Sequence, residues 1–195
     1  MKKILGLVTL LAVSALPALA QGRFGDSSTP VFEIGGGYAF RSWGVVPDNG
    51  GRTSFNGFDL NADYNVTQRI GFALDGTWTR NSGNLDGPFH QDIYSYMGGP
   101  RFYPVGHKRL TPFVHALFGL GRYTLVVPGP EGFSYGENDF AFAFGGGIDA
   151  TVTKRVAVRL GQVDYERTPF TIEQNLPAQN NFRFSAGVVI RFGEK

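Results

Sequence analysis

The sequence lacks cysteine altogether, has only 2 methionines among 195 residues, and has almost no stretch in which apolar residues recur at helical spacing. The absence of cysteine excludes disulfide bonds, so the fold must be stabilised by a large apolar core or by a solvent other than water. By contrast, the chain contains 28 glycines, about twice the usual share, and 18 phenylalanines. These contents predict β structure.

A hydrophobic run long enough for a membrane-spanning helix is also missing. The apolar run at residues 4–16 is shorter than the roughly 20 residues that such a helix needs. Two lysines precede it and the sequence Ala-Leu-Ala follows it, which is the pattern of a secretory signal peptide over residues 1–20, cleaved between Ala20 and Gln21. We therefore expect an exported protein whose mature part, residues 21–195, is one domain.

The mature chain has no excess of charge. The full sequence has 18 basic and 16 acidic residues, and removal of the signal peptide with its two lysines leaves 16 of each kind. A neutral chain gives nucleic-acid binding no electrostatic support. We therefore expect no nucleic-acid partner.

Eight segments of the mature chain alternate between apolar and polar residues, the period of a β-strand whose two faces meet different surroundings. In the second segment, for example, Phe58 and Leu60 lie on one face and Asp59 and Asn61 on the other. The predicted strands are residues 31–43, 57–66, 70–79, 92–103, 111–125, 139–152, 156–166 and 180–193.

Two of these strands depart from simple alternation. The fifth has apolar residues on both faces, and we place His115 inward. In the seventh the alternation changes parity, and one inserted residue near Gln162, a β-bulge, restores it. This bulge puts Asp164 and Glu166 on the same face as Arg159.

The connections between the strands alternate strictly in length. Short connections at 66–69, 104–109 and 153–155 alternate with long ones at 44–53, 81–91, 128–138 and 169–180. This asymmetry is typical of bacterial outer-membrane barrels, whose short turns face the periplasm and whose longer loops face outside.

On these features the chain resembles the small eight-stranded outer-membrane β-barrels of the OmpA-like and OmpX-like type, over about residues 31–192. The resemblance implies an all-β fold, an antiparallel up-and-down transmembrane barrel in the Gram-negative cell outer membrane, without a cofactor. It also implies contact with outer-membrane lipid and lipopolysaccharide, and with the outer-membrane assembly machinery. That machinery recognises a terminal Phe in the family, whereas here Gly193, Glu194 and Lys195 follow Phe192.

The apolar faces of the predicted strands carry almost no charge, as contact with lipid requires, because a Lys or Arg facing the middle of a bilayer costs about 2 to 4 kcal/mol. Arg122 is the exception, near the long-loop end, where it would meet lipopolysaccharide phosphates unless a bulge turns it inward. Aromatic residues at the strand ends predict two interfacial girdles, although aromatics also favour strands generally. They are Tyr64, Phe102, Tyr103 and Phe192 at the short-turn end, and Phe40, Trp43, Trp78, Tyr94, Tyr123, Tyr165 and Phe182 at the long-loop end.

The opposite faces are polar and charged, and we predict that they form the interior of the barrel. The predicted interior residues are Glu33, Arg41, Asp59, Asn61, Asp63, Asp75, Arg101, His115, Asp149, Arg159, Arg183 and Arg191. Side chains about fill an eight-stranded barrel, and buried charges must pair because an unpaired one is strongly destabilising. We expect a plug of salt bridges and hydrogen bonds, with a narrow ion path as the alternative.

No residue pattern points to catalysis or to a metal site. His90, His107 and His115 lie in separate segments and form no paired spacing, so His115 is predicted to be a satisfied interior residue. The glycine runs at 35–37 and 145–147 lack the following Lys-Ser/Thr of a phosphate loop. The expected function is a structural, surface-interaction or adhesion role without enzyme activity. A narrow pore, a lipid-modifying barrel enzyme and a soluble lipocalin-like binding barrel stay open as alternatives.

Overall fold

The computed structural model describes residues 29–44, 52–84, 88–130, 132–168 and 179–194. The predicted signal peptide at 1–20 and its cleavage point between Ala20 and Gln21 lie outside these ranges. Within them, no helix is long and apolar enough to cross a membrane.

Eight antiparallel strands pair in chain order and close into one barrel. They are β1 (Phe32–Gly44), β2 (Arg52–Asn65), β3 (Ile70–Asn84), β4 (Pro88–Phe102), β5 (Leu110–Val127), β6 (Phe133–Thr153), β7 (Val156–Thr168) and β8 (Gln179–Phe192). Pairing between β1 and β8, from Phe32 opposite Phe192 to Ser42 opposite Phe182, closes the barrel. The predicted fold class, an all-β eight-stranded up-and-down barrel, is therefore confirmed.

The alternation of the sequence separates an apolar outer surface from a polar interior. On β2, Phe58 and Leu60 are 55% and 59% exposed, whereas the alternating Asp59 and Asn61 are 4% and 2% exposed. Successive side chains of a strand point to opposite faces, so each strand contributes to both surfaces. On β5 the predicted register holds, since His115 is buried.

The strands extend further at the long-loop end than the sequence predicts. Residues 81–91 and 128–138 were expected to be loops, but β3 continues to Asn84, β4 begins at Pro88, and β5 and β6 pair as far as Val127 opposite Phe133. Gly, Pro, Asn and Ser favour turns only as a local preference. Ladder hydrogen bonds from the partner strand outweigh that preference here.

The bulge predicted in the seventh strand is confirmed. The register between β7 and β8 shifts between Arg159 and Gln162, and both of these side chains are buried. Leu160 and Val163 are both exposed on the outer surface. The bulge thus lets β7 keep its apolar residues outside although their spacing in the sequence changes parity.

Candidate functional site

The interior of the barrel holds every residue predicted for it. Each of them is 6% exposed or less: Glu33, Arg41, Asp59, Asn61, Asp63, Asp75, Arg101, His115, Asp149, Arg159, Arg183 and Arg191. They lie there because their strand parity is opposite to that of the lipid-facing residues. Most of the charged side chains among them form ion pairs, in connected groups that we call layers.

The carboxylate of Asp164 is the centre of the largest layer. Its Oδ2 accepts hydrogen bonds from Arg183 Nε at 2.9 Å, from Arg183 Nη2 at 2.8 Å and from Gln162 Nε2 at 2.8 Å. Its Oδ1 lies 2.7 Å from His115 Nε2. One carboxylate on β7 therefore joins side chains from β5, β7 and β8.

Two further arginine pairs extend this layer. Arg183 also donates from both terminal nitrogens to Asp75 on β3, with Nη2 3.2 Å from Oδ2. Arg159 makes a bidentate pair with Asp149, at 2.9 and 3.1 Å, and its Nη1 donates to Gln162 at 3.0 Å. A continuous chain of charge-assisted hydrogen bonds thus runs from Asp149 to Asp75, and such bonds are roughly twice as strong as neutral ones.

Neighbouring layers use the same chemistry. Arg101 pairs with Asp63, and its Nη2 lies 3.3 Å from His115 Nδ1. In a second group, Arg41 Nη2 donates to Ser95 Oγ at 2.7 Å and lies 3.0 Å from Glu166 Oε2.

Asp59 differs from the other interior acids. Its Oδ2 accepts a hydrogen bond from Asn61 Nδ2 at 3.1 Å. No described arginine or lysine forms a salt bridge with this carboxylate. Asp59 is therefore an interior charge without a cation in direct contact.

Glu33 organises the short-turn end of the interior. Its Oε1 accepts from Arg191 Nε at 2.7 Å, and its Oε2 accepts from Tyr103 Oη and Asn65 Nδ2, both at 3.2 Å. His107 Nε2 lies 3.4 Å from the same Oε2. The connection between β4 and β5 therefore closes this end of the lumen with Tyr103 and His107, both of which are buried.

The long-loop end of the interior is closed by an apolar cluster. Trp43, Phe55, Ile93 and Tyr123 are each no more than 2% exposed and pack together, with Leu125 against them. The ring centroid of Trp43 lies 5.5 Å from that of Phe55 and 5.1 Å from that of Tyr123.

Three aromatic residues assigned to the girdles are therefore misplaced in the sequence-based prediction. Trp43, Tyr103 and Tyr123 lie inside the barrel. Trp43 shares the parity of Arg41 on β1, so its position near a strand end does not bring it to the lipid. Tyr64, Phe102, Phe182 and Phe192 are 42 to 50% exposed on the outer surface, while Trp78 and Tyr94 are half-buried there.

Among the described residues, four arginines lie on the outer surface at the long-loop end: Arg52, Arg80, Arg122 and Arg167. Arg80 forms a bidentate pair with Asp92, at 2.7 and 2.9 Å, and Trp78 Nε1 donates to the same carboxylate at 3.0 Å. Arg52 Nε donates to Ser42 Oγ at 2.8 Å, and its guanidinium carbon lies 5.4 Å from the centroid of the Phe182 ring.

The sequence prediction of the interior network left out several partners. These are Asn65, Thr77, Ser95, His107, Gln162, Asp164, Glu166 and Asn181, all buried. Asp164 and Glu166 were placed on the face of Arg159 by the bulge, so parity was sufficient to find them. His107 lies in a turn and has no strand parity, and only its contact with Glu33 reveals its position.

Among the described residues, the interior offers neither a metal cluster nor an open catalytic site. No group of three or more His, Cys, Asp or Glu side chains suited to a metal ion occurs in the described part of the chain. Two histidine–carboxylate pairs occur there, His107 with Glu33 and His115 with Asp164. The closer one, His115 with Asp164, is fully enclosed, and both of its ring nitrogens face charged interior side chains. The contacts of His115 with Asp164 and Arg101 therefore serve to pair and orient interior charges.

The comparisons with known proteins agree with this geometry. The family model of the outer membrane protein beta-barrel domain matches residues 6–192. Neisserial surface protein A (NspA) is similar in structure, with a TM-score of 0.66 and 15% identity, over 86% of this chain and 100% of that one. OprG of Pseudomonas aeruginosa has a TM-score of 0.54 and 13% identity, over 85% and 97%.

Ail of Yersinia pestis, the attachment invasion locus protein, is a third similar structure. In its complex with the heparin analogue sucrose octasulfate it has a TM-score of 0.61 and 18% identity, over 84% of this chain and 99% of that one. At these low identities, the structural similarity shows a shared fold alone. No curated protein sequence matches the chain significantly.

Proposed function

The chain belongs to the outer membrane protein beta-barrel domain family, and we propose that it acts as a closed, non-conducting barrel whose function is surface interaction at its extracellular end. It is a small protein of the Gram-negative outer membrane, similar in fold to Ail, NspA and OprG. The observation that carries the proposal is the filled interior.

Arginine side chains span the lumen. Arg183 on β8 contacts Asp75 on β3 and Asp164 on β7 at once, and Arg41 on β1 contacts Ser95 on β4. An eight-stranded barrel is just wide enough for its own side chains. An ion crossing it would have to separate buried pairs, which costs several kcal/mol when one charge is left without its partner.

Conductance in planar bilayers tests the closed interior. We expect no discrete single-channel steps from the refolded protein. Steps that change in Asp63→Asn or Arg159→Gln would overturn the proposal and favour the alternative, a narrow pore. Leu60→Ala, on the lipid-facing surface, is the matched control and should leave any conductance unchanged.

The hairpin of β5 and β6 extends beyond β7 at the extracellular end, and its β6 side is an edge available for surface interaction. The pairing of β6 with β7 begins at Phe142, so residues 133–141 of β6 pair with β5 alone among the described strands. Phe133 and Tyr135 on this hairpin are 56% and 41% exposed. Exposed aromatic side chains supply much of the binding energy in protein interfaces, which supports a role in adhesion.

The outward arginines support lipopolysaccharide as a partner at the same end. Arg122 and Arg167 are exposed, and neither forms a salt bridge with a described residue. Guanidinium groups bind phosphate oxygens through two parallel hydrogen bonds. Ail, a protein of similar fold, binds a sulfated sugar, and we infer that anionic groups on a saccharide are the chemistry recognised here too.

Titration with purified lipopolysaccharide tests this partner. We expect the double variant R122Q/R167Q to bind about 30-fold more weakly, because each basic residue near an anionic surface contributes about 1 kcal/mol and the two together about 2 kcal/mol. The matched control R69Q/R155Q neutralises two arginines at the opposite end and should bind normally. Equal affinities of R122Q/R167Q and the wild type would contradict the assignment.

We infer that the protein is not an enzyme. His115 is 2% exposed and paired with Asp164, so a lipid substrate has no access to it. Lipid hydrolysis by the purified protein that disappears in His115→Ala would overturn this inference.

A further inference from the structure

The three short turns of the barrel carry the same kind of sequence. They read T-Q-R-I at residues 67–70, H-K-R-L at 107–110 and T-K-R-V at 153–156. In each turn an arginine directly precedes an aliphatic residue that begins the next strand, β3, β5 or β7. In two of them a lysine precedes the arginine.

The backbone holds the three arginines in equivalent positions. The carbonyl oxygens of Arg69, Arg109 and Arg155 accept hydrogen bonds, each of 2.8 Å, from the backbone N–H groups of Tyr103, Thr151 and Arg191. In the first and third turns, the Oγ1 atoms of Thr67 and Thr153 accept from the N–H of the arginine and of the residue after it. The fold therefore fixes these arginines at one level around the barrel.

These cations are exposed and free of acidic partners among the described side chains. We call Arg69, Lys108, Arg109, Lys154 and Arg155 the basic ring; all five are exposed, and none takes part in a described salt bridge. Near this end the strand carboxylates Glu33, Asp63 and Asp149 are buried and each is paired with an interior arginine, whereas Glu194 is exposed. The described part of this rim therefore carries a positive charge.

The basic ring lies at the edge of the lipid-facing surface. Ile70, directly after Arg69, is 52% exposed and pairs with Phe102, which belongs to the aromatic girdle. At this end the rings of Phe32 and Tyr64 also meet, 4.9 Å apart. Because one strand residue rises about 3.3 Å, the arginines lie just beyond the girdle, at the depth of lipid headgroups.

We propose that the basic ring binds the phosphate groups of anionic phospholipids in the periplasmic leaflet. The short turns of outer-membrane barrels face the periplasm. The basic ring therefore contacts phospholipids of the periplasmic leaflet, whereas Arg122 and Arg167 at the opposite end would contact lipopolysaccharide. Basic residues beside a membrane attract anionic lipids, by about fivefold for each residue near the surface at moderate ionic strength.

Spin-labelled lipids in reconstituted bilayers test the proposal. The full mature protein is placed in phosphatidylcholine vesicles with a trace of labelled phosphatidylglycerol or phosphatidylcholine, and the two immobilised fractions give a selectivity ratio. We expect a ratio clearly above one at low salt, lowered at least about threefold in R69Q/R109Q/R155Q and lowered in the wild type by high salt.

Two matched variants make the result specific. R69K/R109K/R155K keeps the charge and should keep the ratio, while R52Q/R122Q/R167Q removes three arginines from the other rim. A wild-type ratio of one, or a decrease confined to R52Q/R122Q/R167Q, would overturn the proposal. So would an unchanged ratio in R69Q/R109Q/R155Q together with lost binding to peptidoglycan, since the ring would then serve the cell wall. Heat-modifiable gel migration checks that each variant is folded.

Discussion

Arg183 and Asp164 form the central contact of this barrel. Nε and Nη2 of Arg183 lie 2.9 and 2.8 Å from the same oxygen of Asp164, Oδ2, and both side chains are completely buried. The arginine comes from β8 and the acid from β7, next to the β7 bulge. Because neither charge can reach water, each depends on the other for compensation.

Asp164→Asn should therefore destabilise the protein strongly. The substitution keeps the shape of the side chain but leaves Arg183 short of one counter-charge and weakens the contact with His115. We expect a loss of about 3 to 5 kcal/mol in the free energy of unfolding. Reversible urea unfolding of the refolded protein in lipid vesicles measures it.

Asp59→Asn is the matched control for this prediction. Asp59 is equally interior but has Asn61 rather than an arginine as its described hydrogen-bond partner. Removing a buried charge that no cation contacts should leave the free energy of unfolding unchanged or raise it. Equal losses in both variants would mean that direct ion pairs do not determine the stability of the interior.

The two tryptophans should report opposite surroundings. Trp43 lies in the interior cluster, whereas Trp78 is on the outer surface, with its ring centroid 5.2 Å from that of the lipid-facing Phe58. Lipids brominated on the acyl chain near the headgroup should quench the fluorescence of Trp78 in the variant Trp43→Phe. They should barely affect the fluorescence of Trp43 in the variant Trp78→Phe. Strong quenching in the variant Trp78→Phe would show that Trp43 faces the lipid, as part of the aromatic girdle, and would contradict its interior position.

Neighbouring glycines on β1 should differ in tolerance. A Cβ at Gly37 would overlap the carbonyl oxygen of Ala186 and lie 2.7 Å from the Cα of Gly187, at the seam between β1 and β8. A Cβ at Gly36 would be 3.5 Å from its nearest neighbour, an ordinary contact. We expect Gly37→Ala to cost about 1 to 3 kcal/mol and Gly36→Ala much less, as measured by urea unfolding. Similar costs would contradict the close approach at the seam.

Phe192 should matter for assembly more than for stability. It is 48% exposed at the end of β8 and lies opposite Phe32 on β1. If the assembly machinery recognises this aromatic residue, Phe192→Ala lowers the amount of heat-modifiable barrel in cells while refolding in detergent stays normal. Phe32→Ala, its neighbour across the seam, is the control. Equal decreases in both variants would indicate a loss of packing instead.

The sequence by itself determined the architecture and the two surfaces of this protein. Alternation with period two assigns Phe58 and Asp59 to opposite faces without any knowledge of the partner strands, because the side-chain direction in a strand depends only on parity. The alternating connection lengths and the high Phe content then favoured the apolar face as the outer, lipid-facing one. The parity rule also located the bulge near Gln162 and placed Asp164 on the same face as Arg159. Eight such segments with alternating connections were sufficient to predict the barrel.

Only the tertiary structure decided which interior groups meet, because those contacts join strands far apart in the sequence. Arg183 reaches Asp75 across 108 residues, and Arg41 reaches Glu166 across 125. The stagger of the strands sets these pairs, and parity contains no information about stagger. The tertiary structure likewise placed Trp43 and His107. Proximity to a strand end predicts the depth of a residue in the membrane, but closure of the barrel decides which aromatic and turn residues fill the two ends of its interior.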